Sequence, residues 1–209
     1  VEGYDSPLEF LVGEGYLSDP EFHQMTPPDE PLSDTDLDRV YDKDDYDDKL
    51  LKRLTESEER NLLILNKVQD LVQDHNRILV FATNVRHSDI LATFLEMKWG
   101  IRCASITSKT PPDRRQIWID TFLDEDDEEP CVLFNYGVLT TGFDAPKTSA
   151  AIIARPTKSL VLYSQMVGRI IRGERVGGTS GAEIWTVVDQ QLPGFRNLSE
   201  AFWNWEDVW

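Results

Sequence analysis

The sequence predicts an α/β fold, a parallel sheet covered by helices on both faces, and three observations carry that reading. Short, continuous apolar runs such as Ile78-Leu79-Val80-Phe81 and Cys131–Phe134 lack the alternation of strands that face water on one side. Between such runs lie longer segments whose apolar residues recur at helical spacing. The two kinds of segment alternate along most of the chain, a pattern of strand–helix–strand units rather than hairpins. A length of 209 residues allows one ordinary domain plus an appendage, with a sizeable core.

Taken in order, Pro7–Glu21 holds a short helix with Leu8, Leu11 and Val12 on one side, then an extended segment near Tyr16-Leu17. Thr26–Lys49 is rich in Asp and Pro and poor in aliphatics, and reads as a loop or irregular insertion. The spacing Thr55-x-x-Glu58 is a capping-box signature that starts a helix near Thr55, carrying Leu62, Leu65, Val68, Leu71 and Val72. Ile78–Phe81 is a strand, and Ile90, Leu91, Phe94 and Leu95 mark the next helix. Ile101–Ile106 is a strand, and Pro111-Pro112-Asp113 opens a helix with Ile117, Ile119 and Phe122, since proline is tolerated in a first turn. Cys131–Phe134, Ala150–Ala154 and Ile184–Val188 are further strands, with a helix over Ser159–Arg172. At least five parallel strands are expected, with Arg169 and Arg172 exposed near the strand C-terminal edge. Right-handed crossovers place Ala82–His87, Thr107–Thr110 and Tyr136–Pro146 at one edge of the sheet. In the tail, Phe202, Trp203, Trp205 and Trp209 lack interleaved Lys or Arg, which favours packing on the domain over base stacking.

Charge divides the chain the same way. The formal net charge is −17, yet residues 1–60 carry 19 acidic and 6 basic side chains, and six more acids form the single run Asp124–Glu129. The acidity therefore belongs to an N-terminal segment and one loop, the latter read as a solubilising surface. Domain boundaries follow: an acidic linker or insertion over residues 1–54, and a folded domain with a Trp-rich tail over 55–209. No apolar run is long enough to span a bilayer and no leader is legible, so a cytoplasmic location is expected. Cys103 and Cys131 fall in buried strands and read as inert thiols, and three scattered histidines have no ligand spacing, so no metal site is proposed.

The chemistry concentrates in Gln165-Met166-Val167-Gly168-Arg169-Ile170-Ile171-Arg172. Two arginines three residues apart on one helix face offer forked donors to a phosphate chain. About twenty residues upstream lies Val138-Leu139-Thr140-Thr141-Gly142-Phe143-Asp144-Ala145-Pro146, directly after an apolar strand. These two stretches resemble motifs VI and V of superfamily 2 helicases. Ile78–Asn84 looks like motif IV, and Ser105–Thr110, with Arg114-Arg115 and Phe122, like the following segment that touches the nucleic-acid backbone. Residues 61 to about 190 thus resemble the second RecA-like domain of superfamily 2 helicases and translocases. The branch they most resemble holds type I and type III restriction motors and related DNA-repair or phage helicases.

The resemblance implies specific roles. Arg172 matches the arginine finger that reaches the γ-phosphate of ATP, and Arg169 the second phosphate-facing arginine; both would act by stabilising transition-state charge. Gln165 matches a polar residue facing the same cleft. Gly142 lets the motif V backbone turn tightly, and Asp144 matches an acid that contacts the nucleotide ribose or orders the arginines. As a plain reading of the residue, Asp144 is a turn-stabilising Asp before Ala-Pro. Thr140 and Thr141 match hydroxyls between the ATP cleft and the nucleic acid. Thr83, Thr107 and Lys109 match strand-end contacts to sugar-phosphate, with a plain exposed lysine as the other reading of Lys109. The implied cofactor is ATP with Mg²⁺, both held mainly by a first RecA-like domain. The implied partners are DNA, with RNA left open, and that first domain.

No G-x-x-x-x-G-K-[ST] occurs, Gly177-Gly178-Thr179-Ser180-Gly181 has no following lysine, and Asp127-Glu128-Glu129-Pro130 precedes its strand and reads as a loop. The chain is therefore expected to be one half of a motor, inactive alone in ATP hydrolysis. Two other readings stand beside it: a restriction or phage-defence motor subunit, and a non-catalytic RecA-like module that docks a partner. Retention of Arg169 and Arg172 beside Asp144 argues against the last.

Overall fold

The computed structural model describes residues 7–28, 45–139 and 143–192. Thr140, Thr141, Gly142, the tryptophan-rich tail and most of the Asp/Pro-rich stretch lie outside them. Element order is α1 (Pro7–Gly13), β1 (Asp19–Met25), α2 (Asp48–Glu56), α3 (Glu58–Leu71), β2 (Arg77–Phe81), α4 (Val85–Trp99), β3 (Cys103–Ile106), α5 (Pro112–Leu123), β4 (Cys131–Asn135), β5 (Ala150–Ile153), α6 (Leu160–Val167) and β6 (Gly181–Val187). The six strands form one sheet in the order β1-β6-β5-β2-β4-β3, every pairing parallel.

The central strands are buried along their whole length, as their unbroken apolar sequence requires. Alternate side chains feed two cores. Leu79, Phe81, Leu133, Ile153 and Ile184 meet α2, α5 and α6 through Leu54, Phe122, Tyr163, Met166 and Val167. Ile78, Val80, Val132, Phe134 and Ile152 meet α3 and α4 through Ile64, Val68, Leu91 and Leu95 on the other face. No helix among the described residues is long and apolar enough to cross a membrane.

Three features differ from the sequence expectations. β1 was not anticipated: its hydrophobic pattern is weak, and it earns its place by pairing in register with β6 from Asp19↔Gly181 to Met25↔Val187. The helix start is at Ser57, whose side chain accepts from Arg60 N, whereas Thr55 lies inside the preceding helix with its hydroxyl on Leu51 O. The apparent capping box was a coincidence of spacing. The helix expected over Ser159–Arg172 closes at Val167, where bonds from Arg169 N to Met166 O and Ile170 N to Val167 O tighten the last turn.

The acidic run is held at the starts of the strands. Arg77, 4 % exposed, donates to the carbonyls of Asn76, Phe122, Asp124, Asp127 and Glu129. Arg102 pairs with the Asp127 carboxylate at 2.5 Å, and that hydrogen bond holds the carboxyl below its usual range. This is the edge of the sheet opposite the strand-to-helix loops. Cys103 and Cys131 are buried, and burial pushes their thiols up to about 12 and about 11.

Candidate functional site

Two groups of residues from the sequence reading come together beyond the C-terminal end of α6. Arg169 Nη1 donates to Phe143 O at 2.6 Å. Arg172 Nη2 lies 3.5 Å from Asp144 Oδ1, with the side chains 36 % and 72 % exposed. The arginines thus grip consecutive residues of the β4–β5 loop, Arg169 through a carbonyl and Arg172 through a carboxylate. Arg172 Nε is buried with no hydrogen-bond partner. Among the described residues its guanidinium therefore holds unspent donors beside one loose, solvated contact. Gln165 is exposed on α6, one turn before Arg169.

The backbone beneath Arg172 is far better fixed than its side chain. Its carbonyl accepts from Ser18 Oγ at 2.7 Å and from Thr179 N at 2.8 Å. A Cβ on Gly178 would sit 1.8 Å from that same oxygen, so only glycine permits the approach. The glycine-rich stretch at 177–181 is thus a close backbone crossing that seats Arg172. Ser18 and Thr179 precede the starts of β1 and β6, which places the arginine cluster toward the strand N-terminal ends. The expectation of a position near the C-terminal edge overlooked that α6 runs back antiparallel to the strands.

At the C-terminal edge, the candidate strand-end residues separate. Thr83 is fully buried; its hydroxyl is 2.9 Å from both Thr55 Oγ1 and His87 Nδ1. Thr107 is 1 % exposed and its Oγ1 accepts from Lys109 N at 3.3 Å. Neither hydroxyl points to solvent in this geometry. Lys109 is exposed and lines an open groove of about 460 Å³ with Asp89, Glu96, Ser105, Arg114 and Trp118.

Sequence reading missed the polar network beneath this edge. Arg60, 1 % exposed, donates from Nε and Nη2 to the two carboxylate oxygens of Asp189 at 2.8 and 3.0 Å, and from Nη2 to Ala154 O at 2.7 Å. His87 is fully buried; Thr83 N donates to its Nδ1 at 3.1 Å, and its Nε2 lies 2.9 Å from Asn61 Oδ1. A backbone N–H aimed at Nδ1 requires the neutral ring with the proton on Nε2. Burial, then the Arg60 charge, holds the imidazole well below its usual value. One signal was legible: Arg60 places a positive charge in the first turn of α3, where the helix dipole disfavours it unless tertiary partners compensate.

Residues 60–174 match the model of the helicase conserved C-terminal domain. A 51.5 kDa protein of Lactococcus phage (isolate 7-9) is 33 % identical over 107 residues, 50 % of this chain and 23 % of the phage protein. The fold is similar to Mycobacterium smegmatis helicase Lhr, solved bound to ssDNA and AMP-PNP, with TM-score 0.60 at 17 % identity over 90 % of this chain and 22 % of Lhr. It is also similar to the ATP-dependent Type ISP restriction-modification enzyme LlaBIII, solved bound to DNA, with TM-score 0.59 at 17 % identity over 92 % of this chain and 14 % of that enzyme. The chain spans about a fifth of the length of the curated relatives it matches.

Proposed function

The chain belongs to the helicase conserved C-terminal domain family, and from that premise we propose that it is the second motor domain of an ATP-dependent superfamily 2 DNA helicase or translocase. In this reading it supplies an arginine finger and half of a nucleic-acid track, and a first RecA-like domain supplies the main ATP and Mg²⁺ ligands. The observation that carries the proposal is the meeting of Arg169 and Arg172 with Phe143 and Asp144. Two permanent cations held on a loop that follows a buried strand suit a phosphate chain presented by a facing domain. The residues fit ATP in a limited sense: Arg172 keeps unpaired donors, and Asp144 is exposed enough to reach a ribose or to release the arginine.

Arg172 would then act by moving its donors from Asp144 to the γ-phosphoryl oxygens as charge develops there. Arg169, bonded to the Phe143 carbonyl, would hold the loop in place. Thr140, Thr141 and Gly142 remain candidates for the junction between nucleotide and nucleic acid, and Lys109 for a backbone contact at the far edge.

The test is DNA-stimulated ATP hydrolysis by the longer polypeptide that carries this domain. Arg172→Ala is expected to leave ATP binding nearly intact and lower kcat by roughly 10³-fold, about 4 kcal/mol. Unchanged turnover at saturating DNA would reduce Arg172 to a solvated surface residue. The isolated 209-residue chain is expected to show no hydrolysis above background, and measurable turnover by it alone would sink the half-motor reading.

A further inference from the structure

We propose that Arg155, seated on the ring of Tyr136, is a contact for a nucleic-acid backbone phosphate at the middle of the sheet's C-terminal edge; the proposal rests on the motor-domain reading above. The motif resemblance gave neither residue a role, although Tyr136 opens a loop expected at this edge. Their placement follows from register. Phe81 of β2 pairs with Ile153 of β5 on one side and with Asn135 of β4 on the other. Ala154 N bonds Phe81 O, and Ala82 N bonds Asn135 O, so the pairing continues to the strand ends. Arg155 leaves β5 and Tyr136 leaves β4 immediately beyond that point. With neighbouring strands roughly 4.8 Å apart, the arginine must reach over the end of β2 to meet the ring. It does so, with its guanidinium carbon 4.9 Å from the ring centroid.

Among the described residues the guanidinium spends none of its donors. Nε is buried without a hydrogen-bond partner, and no hydrogen bond or ion pair of Arg155 is found among the described residues. Arg60, one residue away through the Ala154 carbonyl, shows what a structural arginine at this edge looks like: bidentate on Asp189 and bonded to a backbone oxygen. Stacking on an aromatic face fixes the plane of a guanidinium while leaving its edge donors open, which suits forked recognition of a phosphate. The Thr83 hydroxyl, at the end of the strand beneath, is turned inward onto Thr55 and His87. Arg155 is therefore a cation with unspent donors, among the described residues, at the middle of the edge where a backbone crossing the strand ends would pass. Arg169 and Arg172 lie toward the opposite ends of the strands, which separates this position from the nucleotide side.

The experiment is anisotropy titration of the 209-residue chain against a labelled oligo-dT single strand over a series of KCl concentrations. Arg155→Ala is expected to weaken binding about tenfold and make the log–log salt slope shallower by about 0.7, one single-strand phosphate. Arg155→Lys should keep the slope and recover part of the affinity; Tyr136→Phe should behave as wild type, and Tyr136→Leu should lose most of what Arg155→Ala loses. Wild-type binding with an unchanged Arg155→Ala titration overturns the Arg155 assignment and leaves the motor-domain reading standing. Weaker binding with an unaltered slope overturns it too, since a merely structural role would give that. No wild-type binding at the lowest salt counts against both. ATP that displaces DNA from wild type but not from Arg155→Ala would put a nucleotide phosphate there, overturning the assignment to the nucleic-acid backbone.

Discussion

Arg60 and Arg172 each face one aspartate, and the two sites could hardly differ more. Arg60 is 1 % exposed, grips both oxygens of Asp189, and adds the Ala154 carbonyl. Arg172 is 36 % exposed and makes one 3.5 Å contact with an Asp144 that is 72 % exposed. The first pair knits α3 to the ends of β5 and β6. The second joins a seated backbone to a loop and leaves donors unspent. Deep burial with a bidentate carboxylate marks an arginine that supports the fold, even though Nη1 of Arg60 has no partner among the described residues; a fixed backbone under a loosely held head leaves Arg172 open to the role proposed for it.

That contrast has a measurable edge. Breaking the buried pair leaves an uncompensated charge, so Arg60→Ala should destabilise the chain by about 3–5 kcal/mol, read as a fall in urea midpoint at constant slope. The double replacement Arg60→Met with Asp189→Leu should recover much of that loss, because no buried charge is stranded. Equal damage from the double variant would mean that geometry, rather than charge, is what α3 requires.

How much of this was legible beforehand follows from the same physics. Apolar runs marked the five inner and right-hand strands because burial on both faces forces composition. β1 was not legible, because Asp19–Met25 takes its stability from hydrogen bonds to β6 rather than from apolar content. Arg169 and Arg172 stood out because motif spacing is local, and the fold brings them to Phe143 and Asp144. Their end of the sheet was misjudged, since that depends on the direction of α6 rather than on spacing. Arg60, His87 and Asp189 are 27 and 102 residues apart in sequence, and no local pattern couples them. The burial of Thr83 and Thr107 was equally hidden, because a hydroxyl at a strand end looks the same in sequence whether it faces solvent or a histidine.

The buried network around His87 also makes stability depend on pH. His87 is neutral in the fold and its value is depressed, by burial first and then by Arg60. In the unfolded chain an ordinary histidine takes up its proton near 6.5, so below that pH the unfolded state binds more protons than the folded state. Stability should therefore be complete above about pH 6.5 and fall as pH drops below it. Thermal melts of the wild-type chain at descending pH should show this, and His87→Gln should flatten the dependence in that window while lowering stability at neutral pH. A wild-type profile that is flat from neutral to mildly acidic pH would mean that the ring titrates normally and that its bonds to Thr83 and Asn61 are not maintained.

The smallest effect belongs to the exposed pair. An ion contact at 3.5 Å between side chains this solvated gains little over hydration, and measured surface pairs contribute about 0–1 kcal/mol. Asp144→Asn should then shift the urea midpoint by no more than about 0.5 kcal/mol in stability, roughly an order of magnitude below Arg60→Ala. The seat of Arg172 gives the reason: Ser18, Thr179 and the close approach of Gly178 hold its backbone whether or not Asp144 carries a charge. On the proposed motor reading, the same substitution in the longer polypeptide should change ATP turnover far more than it changes folding, because Asp144 is the one carboxylate that meets Arg172 among the described residues and losing its charge alters where the guanidinium waits. A loss of stability comparable to that of Arg60→Ala would erase the distinction between the two arginines, and Asp144 would have to be reclassified as part of the structural core.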